Sequence, residues 1–259
     1  MEGRKKVLVT GGAKGIGRDI SLCFAEAGYD VAVNYHNRAE EAAEVCGLIR
    51  EMGVEAYAVR ADISNMQDIK RMYEDIYRDF GPLDVLVNDA GVGVEAYFLD
   101  TTEEMFDFMT GVDWKGLFFC TQECAKRMVA DGTKGCIINI SSNQSVGNWP
   151  RSTVYAPTKA AVEKFTRNCA MELIPYGIRM NAVAPGYTEA DWAPDDHRWK
   201  AAERLPMRRF ATKREIGKGC VYLASEDAGY ITGTTLFIDG GALLPVIADN
   251  DFVKYADGI

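Results

Sequence analysis

The chain is poor in the raw materials of a metal centre. Its 259 residues include only two histidines, His36 and His197, and no Cys-x-x-Cys. Seven cysteines, an odd number, are scattered through apolar patterns, so reduced and buried thiols are expected, with no metal. Cys120 and Cys124 share a predicted helix, but no histidine stands near them to complete a ligand set. Basic charge is also short: 29 Lys and Arg against 38 Asp and Glu leave a formal charge of -9. A phosphate backbone is repelled by such a chain, and no nucleic-acid partner is expected. No apolar run approaches the roughly 20 residues of a membrane helix, so no membrane partner is expected. The start, Met1-Glu2-Gly3-Arg4-Lys5-Lys6, has no signal-peptide core, and a cytoplasmic protein is expected. No Pro/Gly/Ser-rich linker, repeat or low-complexity tract interrupts the chain, which reads as a single domain spanning 1–259.

What is present is a regular alternation. Strands are predicted at 6–10, 30–35, 55–60, 84–88, 135–141, 178–183 and 235–238. Helices are predicted near 15–28, 38–52, 65–79, 102–130, 152–175 and 213–225. Alternating strands and helices imply right-handed βαβ units and a parallel sheet. Val85-Leu86-Val87 is apolar at consecutive positions, as a strand covered on both faces requires. The expected fold class is α/β, a Rossmann-like doubly wound parallel sheet with helices on both faces.

Between the first predicted strand and helix lies Thr10-Gly11-Gly12-Ala13-Lys14-Gly15-Ile16-Gly17. Glycines there permit a tight turn and let backbone N–H groups approach a pyrophosphate, toward which the helix directs its positive end. The second strand, Val31-Ala32-Val33-Asn34-Tyr35, ends without the acidic residue that would bind a ribose 2′-OH and repel a 2′-phosphate. Lys14, His36 and Arg38 surround that position instead. Cations there favour a phosphate, so NADP(H) is the expected cofactor and NAD(H) the alternative.

Tyr155 and Lys159 stand four residues apart on a predicted helix, hence one turn apart on one face. An ordinary phenol is not a base at neutral pH, and a nearby ammonium stabilises its phenolate. Thirteen residues before the tyrosine, Ser142 ends the apolar run Cys136-Ile137-Ile138-Asn139-Ile140-Ser141-Ser142. Ser141 and Ser142 are adjacent and point to opposite sides of an extended chain.

The glycine turn, the serine and the Tyr-x-x-x-Lys pair together resemble the short-chain dehydrogenase/reductase family over nearly the whole chain. That resemblance implies that Tyr155 exchanges a proton with the substrate oxygen. It further implies that Ser142, rather than Ser141, hydrogen-bonds that oxygen, and that Lys159 also binds the nicotinamide ribose. Asp62-Ile63 resembles the family's adenine contact. Asn88-Asp89-Ala90-Gly91 corresponds to the family's Asn-Asn-Ala-Gly, with Asp89 a departure and Asn88, Ala90 and Gly91 retained. Val112-Asp113-Trp114 places Asp113 where the family has a fourth catalytic residue, an asparagine in a proton relay. Asn181-Ala182-Val183-Ala184-Pro185-Gly186-Tyr187-Thr188 resembles the turn beside the nicotinamide carboxamide, through Pro185, Gly186 and Thr188; a threonine usual further along is replaced by Ala190.

The resemblance makes 187–210 a substrate lid, containing Trp192, Asp195, Asp196, His197, Arg198, Trp199 and Arg204. A second wall is Asn143 to Pro150, whose Trp149-Pro150 pair is similar to bacterial glucose 1-dehydrogenases. Hydroxysteroid dehydrogenases and 3-oxoacyl carrier-protein reductases share the scaffold. The implied activity is interconversion of a secondary alcohol and a ketone, or of a sugar hemiacetal and lactone, in a homotetramer with a small-molecule alcohol or ketone substrate. Hydroxysteroid and 3-oxoacyl thioester substrates are the alternatives, and a non-catalytic NADP-binding regulator is the reading from another class. The tail, 242–259, is open between a subunit contact and a pocket wall.

Overall fold

In a computed structural model, residues 3–191, 193 and 195–244 are described, Arg198 by its backbone alone. Trp192 of the expected lid, and the tail beyond Leu244, lie outside the described residues. Seven strands form one parallel sheet: β1 (Lys6–Thr10), β2 (Asp30–Tyr35), β3 (Ala56–Arg60), β4 (Val85–Asn88), β5 (Cys136–Ile140), β6 (Arg179–Pro185) and β7 (Thr235–Ile238). Their spatial order is β3-β2-β1-β4-β5-β6-β7. The helices are α1 (Gly15–Glu26), α2 (Ala39–Glu51), α3 (Met66–Asp79), α4 (Glu103–Thr110), α5 (Leu117–Asp131), α6 (Tyr155–Leu173) and α7 (Lys213–Ala224).

Alternation along each strand divides the core in two. Val7, Val9, Val31, Val33, Val85 and Val87 pack with Ile20 and Phe24 of α1, Val45 and Ile49 of α2, and Ile216 of α7. Leu8, Ala32, Leu86 and Ile137 pack with Ile69 and Tyr73 of α3, Leu117 of α5, and Val162 and Phe165 of α6. Both faces of the central strands are therefore apolar, which is why they read as unbroken hydrophobic runs. Burial pushes the Cys136 thiol up to about 11 and the Cys120 thiol up to about 12, so neither ionises at neutral pH.

Most predicted elements agree with the structure to within three residues, with one informative exception. The stretch expected as one helix over 102–130 is α4 and α5 separated by a π-helical turn, Gly111–Gly116. A Cβ at Gly116 would lie 2.5 Å from the carbonyl oxygen of Ile63. The helix thus passes too close to the chain after β3 for any side chain there, and the wider turn accommodates that approach. Among the described residues, no helix is long and apolar enough to cross a membrane.

Candidate active site

The strand order reverses between β1 and β4, and the residues singled out in the sequence gather at the carboxyl ends of the strands flanking that point. Thr10, closing β1, accepts the backbone N–H groups of Asp89 and Ala90 through Oγ1, each at 3.1 Å. This fastens the glycine turn to the turn after β4. Gly11 adopts φ +65°, and a Cβ on it would meet the Ala90 Cα at 2.9 Å. A Cβ on Gly17 would meet Asp89 Oδ2 and the Gly11 carbonyl, both at 2.5 Å. The turn is therefore a cradle of bare backbone at the N-terminus of α1, which carries no acidic residue in its first turn. Gly15, at φ +56°, and the half-buried Ile16 continue it.

Asn34 ties the cradle down from below. Its side-chain oxygen accepts from Gly11 N at 3.2 Å, and its amide nitrogen donates to Ala61 O at 3.2 Å. The sequence reading gave it no role, although a buried asparagine within an apolar strand was the available signal.

Lys14 is exposed at the cap of α1 and Arg38 stands at the cap of α2. Arg38 Nη1 pairs with Glu41 Oε1 at 2.6 Å. The Arg38 hydrogen bond holds the Glu41 carboxyl below its ordinary value, with Lys14 contributing a weaker pull. Arg38, one of the cations expected at the ribose, is therefore already paired with a half-buried anion that the sequence reading missed. His36 Nε2 lies 3.7 Å from Asp62 Oδ2, while Asp62 Oδ1 is engaged by Ser64 N at 2.9 Å. Ile63 is buried, and its carbonyl is the atom approached by Gly116.

Asn88 spends its amide nitrogen inward, on Thr121 Oγ1 at 2.8 Å and Asn139 Oδ1 at 2.9 Å. These bonds join β4, α5 and β5 beneath the site. Asp89, beside it, accepts from the Gly17 N–H; burial pushes its carboxyl up to about 7 against the pull of Lys159 and that bond.

The catalytic candidates meet around one buried ammonium. Lys159, 4% exposed, donates to the Ile140 carbonyl at 3.1 Å. Its Nζ lies 3.6 Å from Asp113 Oδ2 and 5.4 Å from the centroid of the Tyr155 ring. A Cβ on Gly91 would sit 3.5 Å from both Lys159 Nζ and Asp113 Oδ1, so the family glycine also borders this cluster. Asp113, presented by the π-helical turn, accepts from Val92 N at 2.8 Å through Oδ1; its buried Oδ2 has no hydrogen-bond partner among the described residues. Burial raises the Asp113 carboxyl, opposed by Lys159. Burial pulls Lys159 down, but Tyr155, Asp113 and Asp89 outweigh it and the net shift is upward.

Just past β5, the two serines do different things. Ser141 Oγ bonds the Lys159 carbonyl at 3.1 Å and Glu163 Oε1 at 3.2 Å. Ser142 Oγ accepts from Gln144 N at 3.2 Å. After β6, Gly186 N donates to Ile238 O at 3.0 Å, and a Cβ on Gly186 would meet the Asp239 Cα at 2.6 Å. Pro185 closes β6 beside Ile238, and Thr188 Oγ1 turns back to the Gly186 carbonyl at 3.2 Å.

The segment 187–210 leaves and rejoins the body at one place, where Thr188 bridges Ala211. It contains a 3₁₀ helix, His197–Arg204. Trp149 Nε1 donates to Tyr187 Oη at 2.8 Å, and Tyr187 stacks on Phe210 at 5.8 Å. The two expected walls thus touch through an aromatic pair.

A family model described as enoyl-(acyl carrier protein) reductase matches residues 11–242. The chain belongs to the short-chain dehydrogenase/reductase family. It is an oxidoreductase acting on CH–OH or keto groups. A 3-oxoacyl-(acyl-carrier-protein) reductase of Staphylococcus epidermidis is 37% identical over 240 residues, covering 92% of this chain and 98% of that protein. Glucose 1-dehydrogenase 2 of Bacillus subtilis is 34% identical over 245 residues, covering 93% and 95%. A short-chain dehydrogenase from Burkholderia cenocepacia, solved in complex with NADP, superimposes with a TM-score of 0.86 at 31% identity, covering 92% of this chain and 97% of that one.

Proposed function

We propose that this short-chain dehydrogenase/reductase is NADP(H)-dependent and interconverts a secondary alcohol and a ketone, or a sugar hemiacetal and lactone. The observation that carries this reading is the Lys159 ammonium, sealed from solvent one helical turn from Tyr155. A fixed positive charge so placed lies beside the phenol through which Tyr155 gives a proton to a carbonyl oxygen or takes one from an alcohol. Ser142 hydrogen-bonds the same oxygen and stabilises its developing charge. Ser141 is not available for that role, its hydroxyl being engaged with Lys159 O and Glu163. Asp113 borders Lys159 in place of the family asparagine and holds the ammonium charged.

The residues present fit a dinucleotide. The bare-backbone cradle formed by Gly11, Gly15, Ile16 and Gly17 suits a pyrophosphate, with Asp62, Ile63, Ala90, Gly91, Pro185, Gly186 and Thr188 around it and Asn88 bracing the turn from beneath. Lys14, Arg38 and His36 favour a 2′-phosphate, and the relative solved with NADP supports that preference; NAD(H) is the weaker ligand. When bound, the nicotinamide supplies or accepts the hydride.

Sugars and polyols are the favoured substrates, supported by the polar side chains of Gln144 and Asn148 in the second wall and by the glucose dehydrogenase relative. The second reading, a 3-oxoacyl thioester, rests on the carrier-protein reductase relative. The protein works as one catalytic domain, with 187–210 over the substrate, in the cytoplasm. A homotetramer is the family expectation, and a groove of about 400 Å³ between α5 and α6, lined by Phe118, Val129, Phe165 and Leu173 together with Lys126 and Glu172, offers a surface for a second copy.

The test is oxidation of a sugar, polyol and hydroxysteroid panel with NADP⁺ and NAD⁺, plus reduction of a 3-oxoacyl thioester with NADPH. Tyr155→Phe serves as the blank. Tyr155-dependent turnover of one class, faster with the phosphorylated cofactor, is the expected result. NADPH binding without turnover of any carbonyl points to a regulator instead, and a fully active Tyr155→Phe sinks the mechanism.

A further inference from the structure

Glu163 follows Lys159 by four residues and Tyr155 by eight, which puts all three on one face of α6. It is buried, 4% exposed, and its Oε1 collects two hydroxyls: Ser141 Oγ at 3.2 Å and the hydroxyl of Ser145. Its Oε2 lies 3.4 Å from Arg167 Nη2. Ser145 in turn holds Ser142, which lies between those serines. Its N–H donates to the Ser142 carbonyl at 3.0 Å, and its hydroxyl lies 2.7 Å from the same oxygen. A buried carboxylate is costly unless hydrogen-bonded, and an apolar side chain would fill this space without that penalty. Its presence is explained by its donors: one oxygen gathers both sides of the turn that carries Ser142.

We propose that Glu163 is a positioning residue, which locks the Ser141–Ser145 turn onto α6 and thereby sets the distance from the Ser142 hydroxyl to Tyr155. The inference rests on the reading of Ser142 and Tyr155 given above. Ser142 lies beyond the end of β5, outside the sheet ladder. The hydrogen bonds that tie this turn directly to α6 run from Ser141 to the Lys159 carbonyl and to Glu163, and from Ser145 to Glu163, so Glu163 is the acceptor the two serines share. Small displacements of a group that must meet a reacting oxygen are expensive in rate, so the carboxylate controls turnover without touching substrate.

The experiment compares Glu163→Ala, Glu163→Gln and Ser145→Ala with the wild-type chain. It measures kcat and KM on the substrate found in the panel, NADPH binding by fluorescence, and the thermal midpoint. Glu163→Ala is expected to lower kcat by about a hundredfold, with KM and NADPH affinity changed by less than about threefold. Glu163→Gln keeps an acceptor oxygen and restores most of the lost kcat. Ser145→Ala leaves the Ser141 bond in place and lowers kcat by about tenfold; it carries the test if Glu163→Ala does not fold. Wild-type kcat in Glu163→Ala or in Ser145→Ala overturns the inference, as does a Glu163→Gln as impaired as Glu163→Ala. So does a loss of kcat that merely follows a loss of NADPH binding. A wild-type chain with no Tyr155-dependent turnover overturns the underlying reading, and the inference with it.

Discussion

The ammonium of Lys159 and the carboxylate of Asp113 face each other 3.6 Å apart, one 5% and the other 0% exposed at the side chain. A buried pair of this kind exists because each charge offsets the desolvation of the other. Asp113 Oδ2 has no hydrogen-bond partner among the described residues, so Lys159 is the group that answers its charge. The chain therefore carries a buried carboxyl at the position where the family resemblance implies a neutral amide.

Replacing that anion tests its effect on Lys159. Burial alone would lower the lysine, and Tyr155, Asp113 and Asp89 together raise it above its ordinary value. A raised folded-state value means the ammonium's contribution persists through neutral pH and is lost as pH climbs past that value. Asp113→Asn removes part of the upward pull. The alkaline limb of the pH–kcat profile should move to lower pH, with kcat near neutrality little changed. An unmoved alkaline limb refutes the coupling.

Asp89 makes an opposite test on stability. Its carboxyl is pushed from 3.8 up to about 7 by burial, so its charged form is disfavoured in the fold. The stability tied to its neutral form is fully present below about pH 4 and is lost as pH rises through about 7. Asp89→Asn should leave stability near pH 4 unchanged and raise it above pH 7 by about 1–2 kcal/mol, allowing for its partial solvent access. Denaturant titrations at the two pH values provide the measurement. Destabilisation above pH 7 would show that the carboxylate's bond from Gly17 outweighs its desolvation.

Cofactor preference is open to charge substitution. Lys14→Ala with Arg38→Ala should weaken NADPH by about 10–100-fold and NADH by much less, since only NADPH carries the 2′-phosphate. Glu41 competes for Arg38 at 2.6 Å, so Glu41→Gln should tighten NADPH several-fold, roughly the value of an exposed ion pair. Titrations of both cofactors by fluorescence decide the matter. Equal losses for NADPH and NADH in the double variant would refute the argument.

Much of the architecture was readable from local signals. Runs such as Val85-Leu86-Val87 encode a strand covered on both faces, and the glycines at 11, 15 and 17 encode a turn that tolerates no side chain. The spacing of Tyr155 and Lys159 encodes a shared helix face. Each of these rests on short-range geometry. The break at Gly111–Gly116 does not, because it arises from the approach of Gly116 to Ile63, a contact between segments about 50 residues apart in the chain. The Glu41 partner of Arg38 also escaped notice, since a charged residue in a helical first turn is commonplace.

The sequence by itself determined the strand–helix alternation, the bare-backbone turn and the set of side chains able to do the chemistry, because those depend on residue type and spacing along one element. Only the tertiary structure decided which charges face Lys159, that Asn88 turns inward, and that Glu163 ties the Ser142 turn to the helix of Tyr155. Burial and hydrogen-bond partners across elements are properties of packing, and no periodicity within a single segment encodes them.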